Sequence, residues 1–193
     1  MRNTYYLMRH GWSESNEKAI AVSSSDKALT GFGLTKKGRL QAERAANIFL
    51  AKHTDIPVIY SSDFLRAVQT AEPLAVKYNV EVQEDSRLRE RDFGELDGTS
   101  ADNYHRIWDF DSDPDSTAYH SESLRQMVDR VQSLIYEIER QYEKRIIVLV
   151  SHGDPLVAIN SYYMYGDYRP LIHKFGNAEI RRIDEATPTV SVE

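Results

Sequence analysis

The chain contains no cysteine, which excludes disulfides and thiolate chemistry. It has no apolar run long enough to cross a membrane and no signal-peptide pattern before its first strand-like stretch. A cytoplasmic protein without membrane contact is the expectation. An excess of positive charge is also lacking: 24 Lys and Arg stand against 30 Asp and Glu, a formal net charge of −6. That argues against non-specific nucleic-acid binding, which needs a basic surface, but not against a small anionic substrate held in a local positive pocket. There is no internal repeat, low-complexity tract or evident linker. What is present suits a globular fold. Hydrophobic residues make up 41% and charged residues 28% of 193 positions, enough for one domain over 1–193 with a modest insertion.

Short apolar runs alternate with helical-period segments. Residues 4–9, 57–61 and 145–151 read as buried strands, the last being nearly continuous and β-branched. Ala42, Ala45, Ala46, Phe49 and Leu50 share one face of a helix over 36–52. Phe64, Ala67, Val68, Ala71, Leu74, Ala75 and Tyr78 do so over 63–78, where Pro73 should kink or split the helix. Leu124, Met127, Val128, Val131, Ile135, Ile138 and Tyr142 form the stripe of a third, over 122–143. A fourth helix should open at Asp154-Pro155, with Asp154 as its N-cap. Strands alternating with helices predict a three-layer α/β/α sandwich on a mainly parallel central sheet. Residues 95–125 break the rhythm and read as a short cap insertion.

Ligands of open α/β sheets bind beyond the carboxyl ends of the strands. Three strand ends carry related residues: Arg9-His10-Gly11, Ser61-Ser62-Asp63 leading into a helix with Arg66, and Ser151-His152-Gly153. Two histidines and two arginines thus converge where helix N-termini offer free N–H groups, a setting suited to phosphate. A neutral imidazole is a competent nucleophile near neutral pH, given cations for the phosphoryl oxygens and an acid for the leaving alkoxide. Spacing leaves that acid open among Glu90, Asp92, Glu95 and Asp97.

The stretch Arg9-His10-Gly11-Trp12-Ser13-Glu14-Ser15-Asn16 resembles the RHG signature of the histidine phosphatase superfamily, the phosphoglycerate-mutase-like proteins, and their branch 1 phosphatases in particular. The resemblance continues through Leu34–Ala42, Ile59–Glu72, Glu90–Gly98 and Val148–Gly153, five blocks in order over roughly residues 5–160. It implies His10 as the phosphorylated nucleophile. Arg9, Arg66 and His152 complete the phosphate pocket, with Asn16 and Gly153 as further phosphate ligands. It implies Glu90 as the proton donor, and no metal or organic cofactor.

The resemblance leaves a choice of reaction. Family mutases are longer, with a fuller insertion and a tail over the site, so a phosphomonoester hydrolase acting on a small phosphorylated metabolite is expected. Phosphoglycerate mutase is the alternative, and a low-turnover phospho-ligand binding protein the rival of another class. Asp154 stands where such mutases carry asparagine. A carboxylate there would repel a second acidic group on a substrate unless it only caps the helix, and capping is the preferred reading.

Several other residues have plain readings. Asp109–Asp115 begins like a calcium loop, but Pro114 and His120 occupy the positions that need Gly and Glu, so a solvated acidic lid is expected. Such a lid over the pocket would disfavour highly anionic substrates. His53, His105 and His173 show no metal-ligand spacing, and His53 reads as a helix-end residue. Glu122 reads as part of a helix start, although its position resembles a family segment that reaches substrate. Trp12 and Tyr104 are candidates for pocket walls.

Overall fold

The computed structural model describes residues 1–170 and 174–183. Its sheet has five strands in the order β3-β2-β4-β1-β5: β1 (Thr4–Arg9), β2 (Val58–Ser61), β3 (Val82–Glu84), β4 (Ile146–Ser151) and β5 (Ile180–Arg182). The first four run parallel, and β5 lies antiparallel against β1. The strand at the centre, β4, is the continuous apolar run, since both of its faces are covered. The short edge strands β3 and β5 carry no such run and escaped the sequence reading.

Three layers form around this sheet, as expected. Tyr5, Leu7, Ile147 and Leu149 point to one side and pack on α6 (Leu124–Gln141) and α7 (Gly153–Tyr165). Met8, Ile59, Val148 and Val150 point to the other and pack on α3 (Lys36–Lys52) and α4 (Leu65–Tyr78). The alternation along each strand is the period-2 rule of a pleated sheet. Helix α6 buries Leu124, Met127, Val128, Val131, Ile135 and Ile138 as one stripe. Ser123 caps it and Gln126 reaches back to the Ser123 N–H, a reciprocal pair of bonds that fixes where the helix begins.

Two helix expectations need correction. Pro73 does not split its helix: α4 runs unbroken across it. Ala71 before the proline and Leu74, Ala75 and Tyr78 after it are all buried against the sheet. Burying that stripe outweighs the roughly 3 kcal/mol cost of an internal proline. Nor does Asp154 cap α7. That helix begins two residues earlier than such a cap would place it, at Gly153, with His152 in the capping position.

Short turns fill the insertion: 3-10 turns at Gly94–Leu96, Ala101–Tyr104 and Ala118–His120, and one turn of α-helix, α5 (His105–Trp108). Phe93, Leu96 and Ile107 bury against Ala21, with Tyr104 and Tyr119 packed around them. Gly94 makes the fold-back possible. Its φ is +52°, and a Cβ there would lie 2.3 Å from the Tyr119 carbonyl oxygen.

The acidic stretch 109–115 is not uniformly solvated. Asp109 and Asp113 are exposed and Asp115 pairs with Arg125 at 2.6 Å, but Asp111 is buried. Both of its carboxylate oxygens take hydrogen bonds from the buried Arg91 guanidinium, at 2.8 and 2.9 Å. Asp111 therefore anchors the insertion, and its charge is spent on Arg91 instead of facing solvent. Composition could not show this, because the partner lies twenty residues away in sequence.

Candidate active site

Register decides what meets at the sheet's edge. Arg9 of β1 pairs with Ser151 of β4, and Ser61 of β2 with Val150. The residues that follow these strands, His10, Ser62 and His152, therefore emerge together. His10 faces a cavity of about 430 Å³ whose walls also include Arg9, Asn16, Arg66, Glu90 and Gly153. His152 sits just behind that wall, fully buried, its ring centroid 5.2 Å from that of His10. All seven residues singled out for the site thus come together.

His10 is held for use at one nitrogen. Its Nδ1 lies 2.8 Å from the Gly11 carbonyl oxygen, which can only accept, so Nδ1 carries the hydrogen. The Nε2 lone pair is left available. Burial first, then the charges of Arg66 and Arg9, push its pKa well below the ordinary 6.5, so the ring stays neutral at physiological pH. The loop is fixed from behind: the Gly11 N–H donates to the Thr70 hydroxyl at 3.0 Å, and α3 crosses directly over it. A Cβ on Gly11 would meet the Gly38 carbonyl oxygen at 2.6 Å, and one on Gly38 would meet the Trp12 carbonyl oxygen at 2.1 Å. This close approach needs glycine on both sides.

Around His10 stand donors with no partner among the described residues. Arg9 anchors Nη1 on the Phe175 carbonyl oxygen at 2.6 Å and leaves Nε buried without an acceptor. Arg66 anchors Nη2 on the Val22 carbonyl oxygen at 2.9 Å and leaves both Nε and Nη1 unpartnered. Burial lowers the Arg66 pKa to about 10, which still leaves it charged. The His152 Nε2 pairs with the Ser62 hydroxyl at 2.9 Å, while that oxygen accepts from the Phe64 N–H at 3.2 Å. The Ser62 hydrogen is free to donate to Nε2; in that arrangement the imidazole hydrogen sits on the buried Nδ1, which has no partner among the described residues. Unsatisfied buried donors are costly, and several around one cavity fit a multivalent oxyanion.

Asn16 lines the cavity from α1 (Glu14–Glu17). Its Oδ1 accepts from the Ser13 N–H and hydroxyl at 3.1 and 3.0 Å, so its amide nitrogen is the group that can serve a ligand. Gly153 departs from expectation. It is in the wall, but its N–H donates to Glu90 Oε2 at 3.3 Å and is not free for phosphate.

Of the four candidate acids, Glu90 alone borders this cavity. Asp92 accepts from the Gly94 N–H in an exposed turn, and Glu95 pairs with His120 at the surface. Asp97 is pushed up by burial, but the Lys27 ammonium and the Ser23 and Ser24 donors outweigh this and hold it at about 2. Glu90 moves the other way, to about 7. Burial and the neighbouring Asp154 carboxylate raise it more than Arg66 and Arg9 lower it.

The remaining candidates sort by position. Tyr104 lines the cavity, whereas Trp12 packs under the Lys37 ammonium, 4.2 Å from its ring centre. Glu122 does not line it; both of its carboxylate oxygens are bound by Arg130, at 2.6 and 2.9 Å. His53 ends α3 as expected, His105 is exposed, and His173 lies outside the described residues. Among the described residues no group of three or more His, Asp or Glu side chains could hold a metal ion, and no helix is long and apolar enough to cross a membrane. Ser62, Arg91, Asp111 and Trp108 also shape the site. Only Ser62 carried a signal, as the strand-end serine.

The sequence model of the histidine phosphatase superfamily (branch 1) matches residues 5–190. A candidate phosphoserine phosphatase of Hydrogenobacter thermophilus is 34% identical over 160 residues, covering 80% of this chain and 75% of its own. A 2,3-bisphosphoglycerate-dependent phosphoglycerate mutase of Thermoplasma acidophilum is 33% identical over 158 residues, covering 82% of this chain and 74% of its own. The solved structure of a mycobacterial glucosyl-3-phosphoglycerate phosphatase complexed with VO3 superposes with a TM-score of 0.78 at 26% identity, covering 92% of this chain and 90% of that one.

Proposed function

Since the chain belongs to the histidine phosphatase superfamily (branch 1), and so is an enzyme of phosphoryl transfer, we propose that it is a phosphomonoester hydrolase working through a phosphohistidine on His10. The observation that carries the reading is the placing of His10, open at Nε2, on one cavity with Glu90, a carboxyl whose pKa is raised to about 7. In the first step the Nε2 lone pair attacks phosphorus, the bond from phosphorus to the leaving oxygen breaks, and that oxygen takes the Glu90 proton. Arg9 Nε, Arg66 Nε and Nη1, and His152 Nδ1 hold the phosphoryl oxygens while charge shifts among them. In the second step water attacks phosphorus and gives a proton to the Glu90 carboxylate. The bond to Nε2 breaks, and phosphate leaves. A small phosphorylated metabolite fits a cavity of this size, and the scheme uses neither metal nor organic cofactor.

A second reading, phosphoglycerate mutase, is favoured by the Thermoplasma relative. It shares the first step and differs in the acceptor. His10→Ala should keep the fold by circular dichroism and lose turnover of 4-nitrophenyl phosphate. Acid-free quenching of the unaltered protein should trap phosphate on His10. Normal turnover by His10→Ala refutes the assignment. Isomerisation of 3-phosphoglycerate that depends on 2,3-bisphosphoglycerate, without phosphate release, moves the protein to the mutase reading.

A further inference from the structure

Besides Glu90 and the Arg91-bound Asp111, the cavity wall holds a third carboxylate that the chemistry above does not use. Asp154 is the second residue of α7, and 18% of its side chain is exposed, on the cavity wall beyond Glu90. It is not there to cap the helix. Its Oδ2 accepts from the Trp108 indole N–H at 3.0 Å, which ties the insertion to α7, and lies 4.0 Å from Arg91 Nη1. Its Oδ1 accepts no hydrogen bond from any described residue.

The charge on this group is not cancelled. Arg91 is already committed to Asp111 through two hydrogen bonds, so that pair is close to neutral as a unit. Lys174 is an exposed ammonium 3.6 Å above the Trp108 ring centre, at the rim, where solvent screens it. Glu90 and Asp154 share one pocket and oppose each other's ionisation. Burial first, and Asp111 after it, push the Asp154 pKa up, while Arg91, the Trp108 N–H and Lys174 draw it back; of the two carboxyls Asp154 has the indole donor on its Oδ2, and its charge in turn raises Glu90. Around them Val22, Phe93, Tyr104, Trp108 and Val157 offer a seat for a carbon skeleton without adding charge.

The geometry points to Asp154 as the specificity-determining residue of this site: it accepts hydrogen bonds from hydroxyls of a neutral, polyhydroxylated leaving group and turns away substrates that bring a second acidic group. That the hydroxyls belong to a leaving group rests on the phosphomonoesterase reading, but the selection itself is a matter of binding and is tested as such. One negative charge within a few ångströms of another in a partly desolvated pocket is worth about tenfold or more in affinity.

Glycerol 3-phosphate and 3-phosphoglycerate provide the test, since they differ only in a hydroxymethyl group against a carboxylate. Calorimetry uses the full chain carrying His10→Ala, which removes phosphoryl transfer. That protein should bind glycerol 3-phosphate about tenfold more tightly than 3-phosphoglycerate. Adding Asp154→Asn, which keeps an oxygen for the Trp108 N–H, should bring the two affinities to within about threefold. Should the asparagine variant fail to fold, Asp154→Ser serves in its place with the same expectation. Equal or tighter binding of 3-phosphoglycerate before Asp154 is changed overturns the proposal. So does a ratio that survives the change, or binding of neither ligand. The phosphomonoesterase reading is judged separately, by hydrolysis of 4-nitrophenyl phosphate with His10 intact; its failure there leaves the binding ratio to decide on Asp154.

Discussion

Glu90→Gln separates the acid from everything else in the pocket. Glutamine keeps the size of the side chain and one oxygen for the Arg91 or the Gly153 N–H, but it has no acidic proton to give. General acid catalysis of this kind is worth about 10²–10⁴ in rate, and only when the leaving oxygen needs a proton. The variant should therefore lose about 10²–10⁴ in kcat/KM, which reports transfer to His10, on an alkyl phosphate and less than about tenfold on 4-nitrophenyl phosphate, whose phenolate leaves unaided. The pH profile adds a second mark. With Glu90 titrating at about 7, alkyl phosphate turnover should fall above that pH, and the variant should lack this limb. Stability moves in the opposite sense. A carboxyl raised from 4.5 to about 7 favours the fold fully below about pH 4.5 and loses that contribution as pH rises through about 7. The shift corresponds to about 3 kcal/mol; with the charge shared with Asp154 and the side chain half-buried, about 1–3 kcal/mol should reappear as added stability of Glu90→Gln above pH 7. Equal losses of kcat/KM on both esters, with an unchanged pH profile, refute the assignment of Glu90 as acid.

The buried Arg91–Asp111 pair gives a stability prediction. Asp111→Ala leaves a guanidinium buried without its partner and should cost about 3–5 kcal/mol in urea denaturation, while Arg91→Met combined with Asp111→Leu should recover most of it. Ser62→Ala removes the hydroxyl that holds His152 Nε2. It should lower kcat about tenfold or more with little change in KM, read by steady-state kinetics on 4-nitrophenyl phosphate; a rise in KM alone would place Ser62 in substrate binding.

Much of the site could be read in the sequence because local rules placed it. Short apolar runs marked strands, ligands of such sheets gather at the carboxyl ends, and the residues at three of those ends were His10, Ser62 and His152. The register of β1, β2 and β4 then brings those ends level, something no single segment states. Glu90 shows the boundary most clearly. Spacing left it equal to Asp92, Glu95 and Asp97, and resemblance preferred it. The structure separates the four physically: three are engaged elsewhere, and Glu90 faces the cavity with its pKa raised.

The sequence by itself determined the layered α/β class, the places of the main strands and helices, and the cluster of histidine and arginine around a phosphate-sized site. These follow from periodicity and strand-end position, which are properties of neighbours along the chain. Tertiary structure alone decided that Pro73 could remain in its helix, that Asp111 is an anchor, that the Gly153 N–H is taken, and that Asp154 faces the cavity instead of capping α7. Each of these depends on a partner distant in sequence: the sheet under α4, Arg91, Glu90 and Trp108. Burial and pairing set the charge of a carboxylate, and both are decided only when the chain has closed around it.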